Sequence, residues 1–447
     1  MRAIHRRAAA LLAAISLSWA SPGPARADAP AGLSAAERSK NVESFEVVWR
    51  TIRDTHFDPK LGGLDWQAVH DELRPRVEKA ATMAEARAAI GEALERLHQT
   101  HFGILPAEGI RALDDGPRVA GGPGETGIEV REVEGRAVVT SVAPGSTAEA
   151  AGVKPGWVVQ AIRGRSIPDV LAAAEKAYAR SGMLQARKSL AVAVRLRGAV
   201  GGTVPVEFID GKDRVVHIDV PLMAPRGVPA RFGNLPTFYV RFDSRRVEGT
   251  IGYVSLSAFF DAVNVMRQFA EAMKAHGDAE GLVLDLRGNP GGIGAMSMGL
   301  GGWFVTEPNR KLGTMITRDS SLNFTLNPRP VPFVGPVAIL VDEMSMSTSE
   351  ILAGGLKDLG RAEVFGTRTP GAALPSRVDL LPNGDGFQYA FANYISHGGK
   401  PLEGVGVIPD TEVTLTRSAL LEGRDPALDA AVRWLRSQPG GAKAPRP

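Results

Sequence analysis

Three serines, Ser345, Ser347 and Ser349, lie between an apolar run at 337–341 and a helical pattern that opens at Ser349-Glu350. A hydroxyl held where a strand's carboxyl end meets a helix N-terminus sits beside partial positive charge, at the place where open α/β sheets carry their sites. Each serine is therefore a candidate nucleophile. Each is also an ordinary turn former, and Ser349 is placed to cap the helix. Upstream, Asp285-Leu286-Arg287-Gly288-Asn289-Pro290-Gly291-Gly292 joins another apolar strand to another helix. Bare amides in such a turn suit a phosphate or an oxyanion. The turn lacks the Lys-Ser/Thr ending of a phosphate loop and the spacing of a dinucleotide fingerprint, which leaves an oxyanion hole as the better functional reading. Packing glycine is the alternative.

Both turns need a frame. From Phe238 onward strands and helices alternate: strands at 250–256, 281–286 and 337–341, helices at 263–275 and 293–303. That order predicts an α/β core with a mostly parallel sheet covered on both faces. Before it, 127–133, 137–142, 158–162, 204–209 and 215–220 read as short strands. Pro144-Gly145-Ser146 and Val153-Lys154-Pro155-Gly156 flank a short helix at 147–151, and a second helix is expected at 168–180. Still earlier, Phe45, Val48, Trp49 and Ile52 share one helical face, and a second amphipathic run covers 83–97. That run breaks at His98-Gln99-Thr100-His101-Phe102-Gly103, where polar groups crowd a helix end.

Composition narrows the class. A chain of 447 residues, 44% hydrophobic and 23% charged, has room for two or three domains. Arg2, Arg6 and Arg7, then the apolar run 8–20, then Ala25-Arg26-Ala27 follow the plan of a secretory signal peptide, with cleavage expected after Ala27. The apolar run is shorter than the roughly 20 residues of a spanning helix, so no stable membrane span is expected. Loss of the four leader arginines takes the formal charge from +3 to −1, which removes any electrostatic case for nucleic acid. There is no cysteine, hence no disulfide, thiolate metal site or thiol nucleophile, and neither cofactor nor metal is expected.

The segment APGSTAEAAGVKPGWVVQAIRGRSI resembles the core of a PDZ domain of the bacterial protease type, departing from it at Trp157. Such domains add a peptide as a strand and hold its terminal carboxylate on loop amides. Thr126, Gly127, Ile128 and Glu129 occupy the place of that loop. DLRGNPGG, SMSTSEILAGGLKDLGRAEVFGTRT and GKPLEGVGVIPD, in that order, resemble the catalytic core of the C-terminal-processing (tail-specific) serine peptidases. With the preceding modules the resemblance spans roughly 33–435. It implies a ClpP/crotonase-like core, Ser347 as nucleophile, and the amides of Thr348 and Gly292 as oxyanion hole.

The expected base is missing. Serine–lysine members carry a lysine where this chain has Ala372, and neighbouring Arg368 stays protonated. The branch holding the tricorn core and the retinoid-binding repeats uses a histidine from the helical module. Leu97-His98-Gln99-Thr100-His101-Phe102 resembles that segment, with His101 and Thr100 at the matching positions and Glu403 before the Gly-Val-x-Pro-Asp signature. The resemblance thus implies a serine endopeptidase with a histidine base rather than lysine, oriented by Glu403 and Thr100. His98 and His397 are the fallbacks. The alternative is a catalytically inactive relative acting as a peptide-binding or scaffold protein.

The expected architecture is therefore multidomain: signal peptide 1–27, N-terminal helical module 28–110, PDZ-like β domain 119–222, α/β peptidase core 236–435 and disordered tail 436–447. The expected location is periplasmic or secreted. Expected partners are protein or peptide substrates, engaged through their C-terminal tails, and a second copy of the chain in a homo-oligomer.

Overall fold

The computed structural model describes residues 32–108, 122–179 and 181–438. The leader at 1–27 and the tail from 439 lie outside the described residues, as do parts of the 116–124 stretch and Arg180. Three helices open the described chain: α1 (Ala35–Thr55), α2 (Trp66–Glu78) and α3 (Met83–Glu95). Each starts where a side-chain oxygen accepts a first-turn amide: Ser34 for Glu37, Asp65 for Ala68 and Thr82 for Glu85. Phe45, Val48 and Ile52 lie on the buried face of α1, as their spacing requires, against Leu73, Val77 and Ile90. The same cluster takes in Leu374, Phe387 and Tyr389 from nearly 300 residues further on, so the helices are packed onto the far core. Directly after His101 the chain enters β1 (Gly103–Leu105), whose partner comes from that same distant segment.

The middle of the chain is a β module. Strands β2 (Ile128–Val133), β3 (Arg136–Val142), β4 (Val158–Ile162), β5 (Thr203–Ile209) and β6 (Val215–Pro221) make one antiparallel sheet in chain order. Helix α4 (Ile167–Tyr178) buries Ile167, Val170 and Leu171 on it. A further helix, α5 (Leu184–Ala193), was not anticipated from the sequence. It packs beside β2, where the Ser189 hydroxyl accepts the Glu132 amide.

The core is built on a six-stranded sheet. In spatial order it runs β7 (Phe242–Val247), β8 (Ile251–Leu256), β9 (Gly281–Asp285), β12 (Val337–Val341), β13 (Glu363–Gly366) and β17 (Thr411–Glu412). Helices α6 (Ala262–Ala275) and α7 (Thr348–Asp358) cover one face. The last helix, α8 (Pro426–Ser437), covers the other by setting Ala431, Val432 and Leu435 on Val283, Ala338 and Leu340. Every residue of β9 and β12 is buried, which explains why both read as continuous apolar runs.

Within the six-stranded sheet four of the five pairings are parallel, but the expectation of a core framed mostly by parallel strands is corrected once all the described sheets are counted. Twelve of the sixteen pairings between described strands are antiparallel, and the four parallel ones are confined to one sheet. Among the strands unread from the sequence are β10 (Arg310–Thr317), β11 (Ser321–Leu326), β14 (Ser376–Leu380), β15 (Gly386–Ala390) and β16 (Ala392–Ser396). They form two antiparallel three-stranded sheets, in the orders β11-β10-β16 and β1-β15-β14. Their residues alternate between buried and open or interrupt the pattern with polar groups, so no apolar run announces them.

Candidate active site

The serine turn is built from its carboxylate outward. Asp342, the first residue past β12, accepts the amides of Gly288 at 2.8 Å and Met344 at 3.0 Å, which ties the glycine turn to the serine turn. Ser345 donates to Leu286 O at 2.8 Å, and Ser349 donates to Asn289 O at 2.9 Å. Two of the three hydroxyls are thus spent on fixing backbone. Ser349 is not the cap expected of it, because α7 begins at Thr348 and places Ser349 inside its first turn. Ser347 occupies the cap position with φ 57° and ψ −113°, a left-handed backbone that costs a non-glycine residue on the order of 1–3 kcal/mol. Its Oγ is buried and makes no hydrogen bond.

Glycine is required opposite it. Gly291 has φ +92°, and a Cβ there would lie 2.8 Å from Ser347 Cβ and 3.0 Å from Thr348 N. Gly292 has φ +142°, and a Cβ there would fall 2.3 Å from Phe259 O. Asn289, which sequence reasoning passed over, stitches the two turns. Its carbonyl accepts the Met346 amide, its Oδ1 accepts the Gly291 amide, and its Nδ2 donates to Leu256 O. Arg287 braces the same turn from behind, with a fork on Asp285 and a second on Asp425, the cap of α8.

A second polar arm comes from the helical module. Glu403 accepts the Thr100 amide at 2.6 Å and the Thr100 hydroxyl at 2.9 Å. Since that hydroxyl has one proton and spends it on Glu403, it accepts from His101 Nδ1, 2.8 Å away. The proton therefore sits on Nδ1, and Nε2 is a bare, buried lone pair with no partner. Burial pushes the imidazole down to about 3, and burial raises the Glu403 carboxyl despite its bonds to Thr100.

The two arms converge on the loop that carries Ala372. Glu350, at the third position of α7, takes the Ser347 amide at 2.9 Å and the Ala372 amide at 2.9 Å on one oxygen. Its other oxygen takes the Thr369 hydroxyl at 2.6 Å and the Gly371 amide at 2.7 Å. The next amide, Ala373, goes to Glu403 at 3.2 Å. Ser347, Thr348 and Gly292 are thus assembled at one turn, and Thr100, His101 and Glu403 at the other side of a shared loop. The fallback histidines are elsewhere: His98 and His397 are exposed.

Both reactive groups are covered, Ser347 being 0% and His101 2% exposed. Met183 and Ala186, at the start of α5, pack with Met344, Met346 and Ala372. Polar contacts hold the β module there. Arg131 of β2 lies 3.3 Å from Asp342 and 3.6 Å from Glu343, and Glu129 pairs with Arg241 at 2.9 Å. Burial, and then the neighbouring Asp342, push Glu343 up to about 7. Of the PDZ-like loop, Thr126 is buried with its Oγ1 on the Ile128 amide, and Gly127 has φ +81° with Ser146 packed where a Cβ would go.

A free hydroxyl at a helix N-terminus, facing a glycine turn, is the constellation of a serine hydrolase. Comparison with known proteins gives the particular kind. Residues 250–413 match peptidase family S41, and residues 38–95 match the tricorn protease C1 domain. The chain is 28% identical over 428 residues to the chloroplastic carboxyl-terminal-processing peptidase 3 of Arabidopsis thaliana, covering 91% of this chain and 76% of that one. It is 26% identical over 381 residues to a carboxyl-terminal-processing protease of Picosynechococcus, covering 82% and 81%. Against the putative tricorn protease homolog 2 of Streptomyces coelicolor it is 27% identical over 413 residues, 88% of this chain but 32% of that much longer protein. Among solved structures, the photosystem II D1 C-terminal processing protease superposes with a TM-score of 0.56 at 22% identity, over 91% of this chain and 98% of that one. Mature CPAF complexed with lactacystin superposes with a TM-score of 0.61 at 13% identity, over 90% and 98%, a likeness of fold.

The chain belongs to the C-terminal-processing (S41) family of serine peptidases, and carries a tricorn-like helical module. Its substrates are protein or peptide chains. Two expectations fall here. The structural likenesses are to C-terminal-processing and S41-type peptidases, which replaces the ClpP/crotonase-like core expected from resemblance. The family's catalytic dyad is serine with lysine, which overturns the histidine base inferred from Ala372.

Proposed function

We propose that this chain is an exported serine endopeptidase that cuts protein or peptide chains engaged through their C-terminal tails, with Ser347 as nucleophile. The observation that carries this reading is the Ser347 hydroxyl. It is the one serine of the turn without a hydrogen-bond partner, held in a strained backbone at the head of α7 and pressed against Gly291. As the Oγ proton passes to a base, Oγ bonds to the peptide carbonyl carbon and the C=O π pair moves onto oxygen; the amides of Gly292 and Thr348, with the positive end of α7, are assigned to receive that oxyanion. Thr100, His101 and Glu403 are assigned to the same site as its buried polar wall, in which Glu403 orients Thr100 and Thr100 fixes the imidazole. Thr126, Gly127, Ile128 and Glu129 are assigned the terminal carboxylate of the bound tail, with β2 as the strand it extends.

Export rests on the leader, with cleavage after Ala27; among the described residues no helix is long and apolar enough to cross a membrane. The division into 28–110, 119–222 and 236–435 is part of the same reading, with α8 carrying the core on to Ser437, past the 436 at which the tail was expected to begin. A fluorophosphonate probe on the mature protein tests it. The wild type is expected to label on Ser347 and the Ser347→Ala variant not at all. Equal labelling of the two would sink the assignment.

A further inference from the structure

The proposed chemistry leaves the buried carboxyl of Glu350 unused. Glu350 is fully enclosed, and its hydrogen-bond partners are the Ser347 amide, the Thr369 hydroxyl and the amides of Gly371 and Ala372. No cation is among them. Arg368, the neighbour of Thr369, turns its guanidinium to the carbonyl of Val405 at 2.7 Å. Burying an ionisable carboxyl without a counter-charge is costly, and four converging donors are what offset that cost. Thr369 is itself pinned, since its hydroxyl also accepts the Val407 amide at 2.7 Å. The result is a clamp: one oxygen holds the nucleophile's own amide together with Ala372, and the other holds the start of the same loop. Glu403 grips that loop one residue on, at Ala373, and reaches Thr100 beside His101.

We infer that Glu350 is a positioning residue: its carboxylate fixes the strained backbone of Ser347 and sets the distance between that serine and the loop 369–373, and so the alignment of Oγ for attack. This rests on the reading of Ser347 as nucleophile. A left-handed serine relaxes unless its surroundings over-determine it. Three bonds from one carboxylate to a separate loop supply that restraint, and the Ser347 amide is the point where they act. Ionised, the carboxylate accepts all four donors; protonated, it turns one oxygen into a donor facing amide or hydroxyl protons. Burial holds the group at about 7, so the ionised and protonated forms exchange within the working range. Glu343, in the turn before Ser347, and Glu403 and His101, across the loop, are the other titratable groups around it.

The test uses the full mature chain and three variants. Glu350→Gln keeps the shape but puts an amide group against the donors; it is expected to slow fluorophosphonate labelling of Ser347 by about 10- to 100-fold. It is also expected to speed amide exchange across 345–350 and to erase the acidic limb of the labelling rate that the wild type shows below about pH 7. Thr369→Val, which removes one donor, is expected to give a smaller loss and to move that limb upward, whereas Thr369→Ser restores the wild-type rate and profile. A merely structural Glu350 would not move the limb. Labelling of Glu350→Gln within twofold of wild type, with unchanged exchange at 345–350, overturns the inference. If Glu350→Gln does not fold, the Thr369→Val and Thr369→Ser pair decides by the same two readouts. If the wild type is inert to the probe, the nucleophile reading fails instead. The exchange measurement then stands alone, faster exchange upholding the clamp and unchanged exchange overturning it.

Discussion

Consider removing Arg87 from the helical module, in the form Arg87→Met. The guanidinium reaches across to Asp385, giving Nε to one oxygen at 2.9 Å and an NH2 group to the other at 2.7 Å. Asp385 is 0% exposed and Arg87 18%. Two neutral donors remain on the carboxylate after the change, the Ala107 amide at 2.9 Å and the Asn383 side-chain amide at 3.0 Å. A buried charge stripped of its partner costs about 3–5 kcal/mol, and the remaining bonds argue for the lower end, about 3. The second ion pair of Arg87, to Glu108, is largely exposed and adds less than about 1 kcal/mol. At about 2–4 °C per kcal/mol for chains of somewhat smaller size, the melting temperature should drop by roughly 5–10 °C. The loss should reach the site as well. Asp385 immediately precedes β15, whose pairing with β1 seats the chain that has just left His101. Thermal melts of wild type, Arg87→Met and Arg87→Met with Asp385→Asn make the assay, because the second change removes the stranded charge and should recover part of the loss. A melting point within 1 °C of wild type, or a double variant no better than the single, would refute the reasoning.

Gly292→Ala should keep the fold but lower Ser347 labelling by about 10²- to 10³-fold, because a Cβ meets Phe259 O at 2.3 Å and the turn must shift its amides; unchanged labelling would count against the oxyanion role. Stability should depend on pH in a signed way. Glu350, raised to about 7, contributes stability that is present below about pH 4.5 and lost as pH rises through about 7, up to about 3 kcal/mol. Burial-depressed His101 works oppositely, its contribution being present above about pH 6.5 and lost as pH falls toward about 3. Because the two slopes oppose, urea midpoints of wild type and Glu350→Gln should be compared: the wild type should lose ground relative to the variant between pH 5 and 8, and a constant difference would show that Glu350 is not carrying the charge.

What the sequence made legible follows from burial. The strand 337–341 and the strand 158–162 emerged with their observed ends, since a run buried on both faces or hinged between Gly-Pro turns leaves a local signature. Ser347 was separable from its neighbours only through the family pattern; in the structure the separation is physical, Ser345 and Ser349 being bound to Leu286 O and Asn289 O. Helix α5 went unread because its buried positions, Ala186, Ser189 and Val192, are small or polar and give little amphipathic contrast. The antiparallel strands at 310–326 and 376–396 went unread for a similar reason. Glu350 was visible as the residue three after Ser347, a spacing that signals a helix cap. Nothing local could show that its carboxylate reaches Thr369 and Ala372, because that bond depends on a loop some 20 residues away. The neutral state of His101 was illegible for the same cause, being set by how tightly two distant modules close on it.

The cover of Met183 and Ala186 over Met344, Met346 and Ala372 changes what a rate means in this protein. A reagent reaches a serine with no exposed surface only through an excursion of its surroundings. The observed rate is then the intrinsic rate multiplied by the population of the open form, and each 1.4 kcal/mol favouring closure lowers it tenfold. A polar substitution at Ala186 and a defect in the oxyanion turn therefore act on different factors of that product. Two variants with equal turnover can differ wholly in cause, and the temperature dependence of labelling tells an opening event from a chemical one.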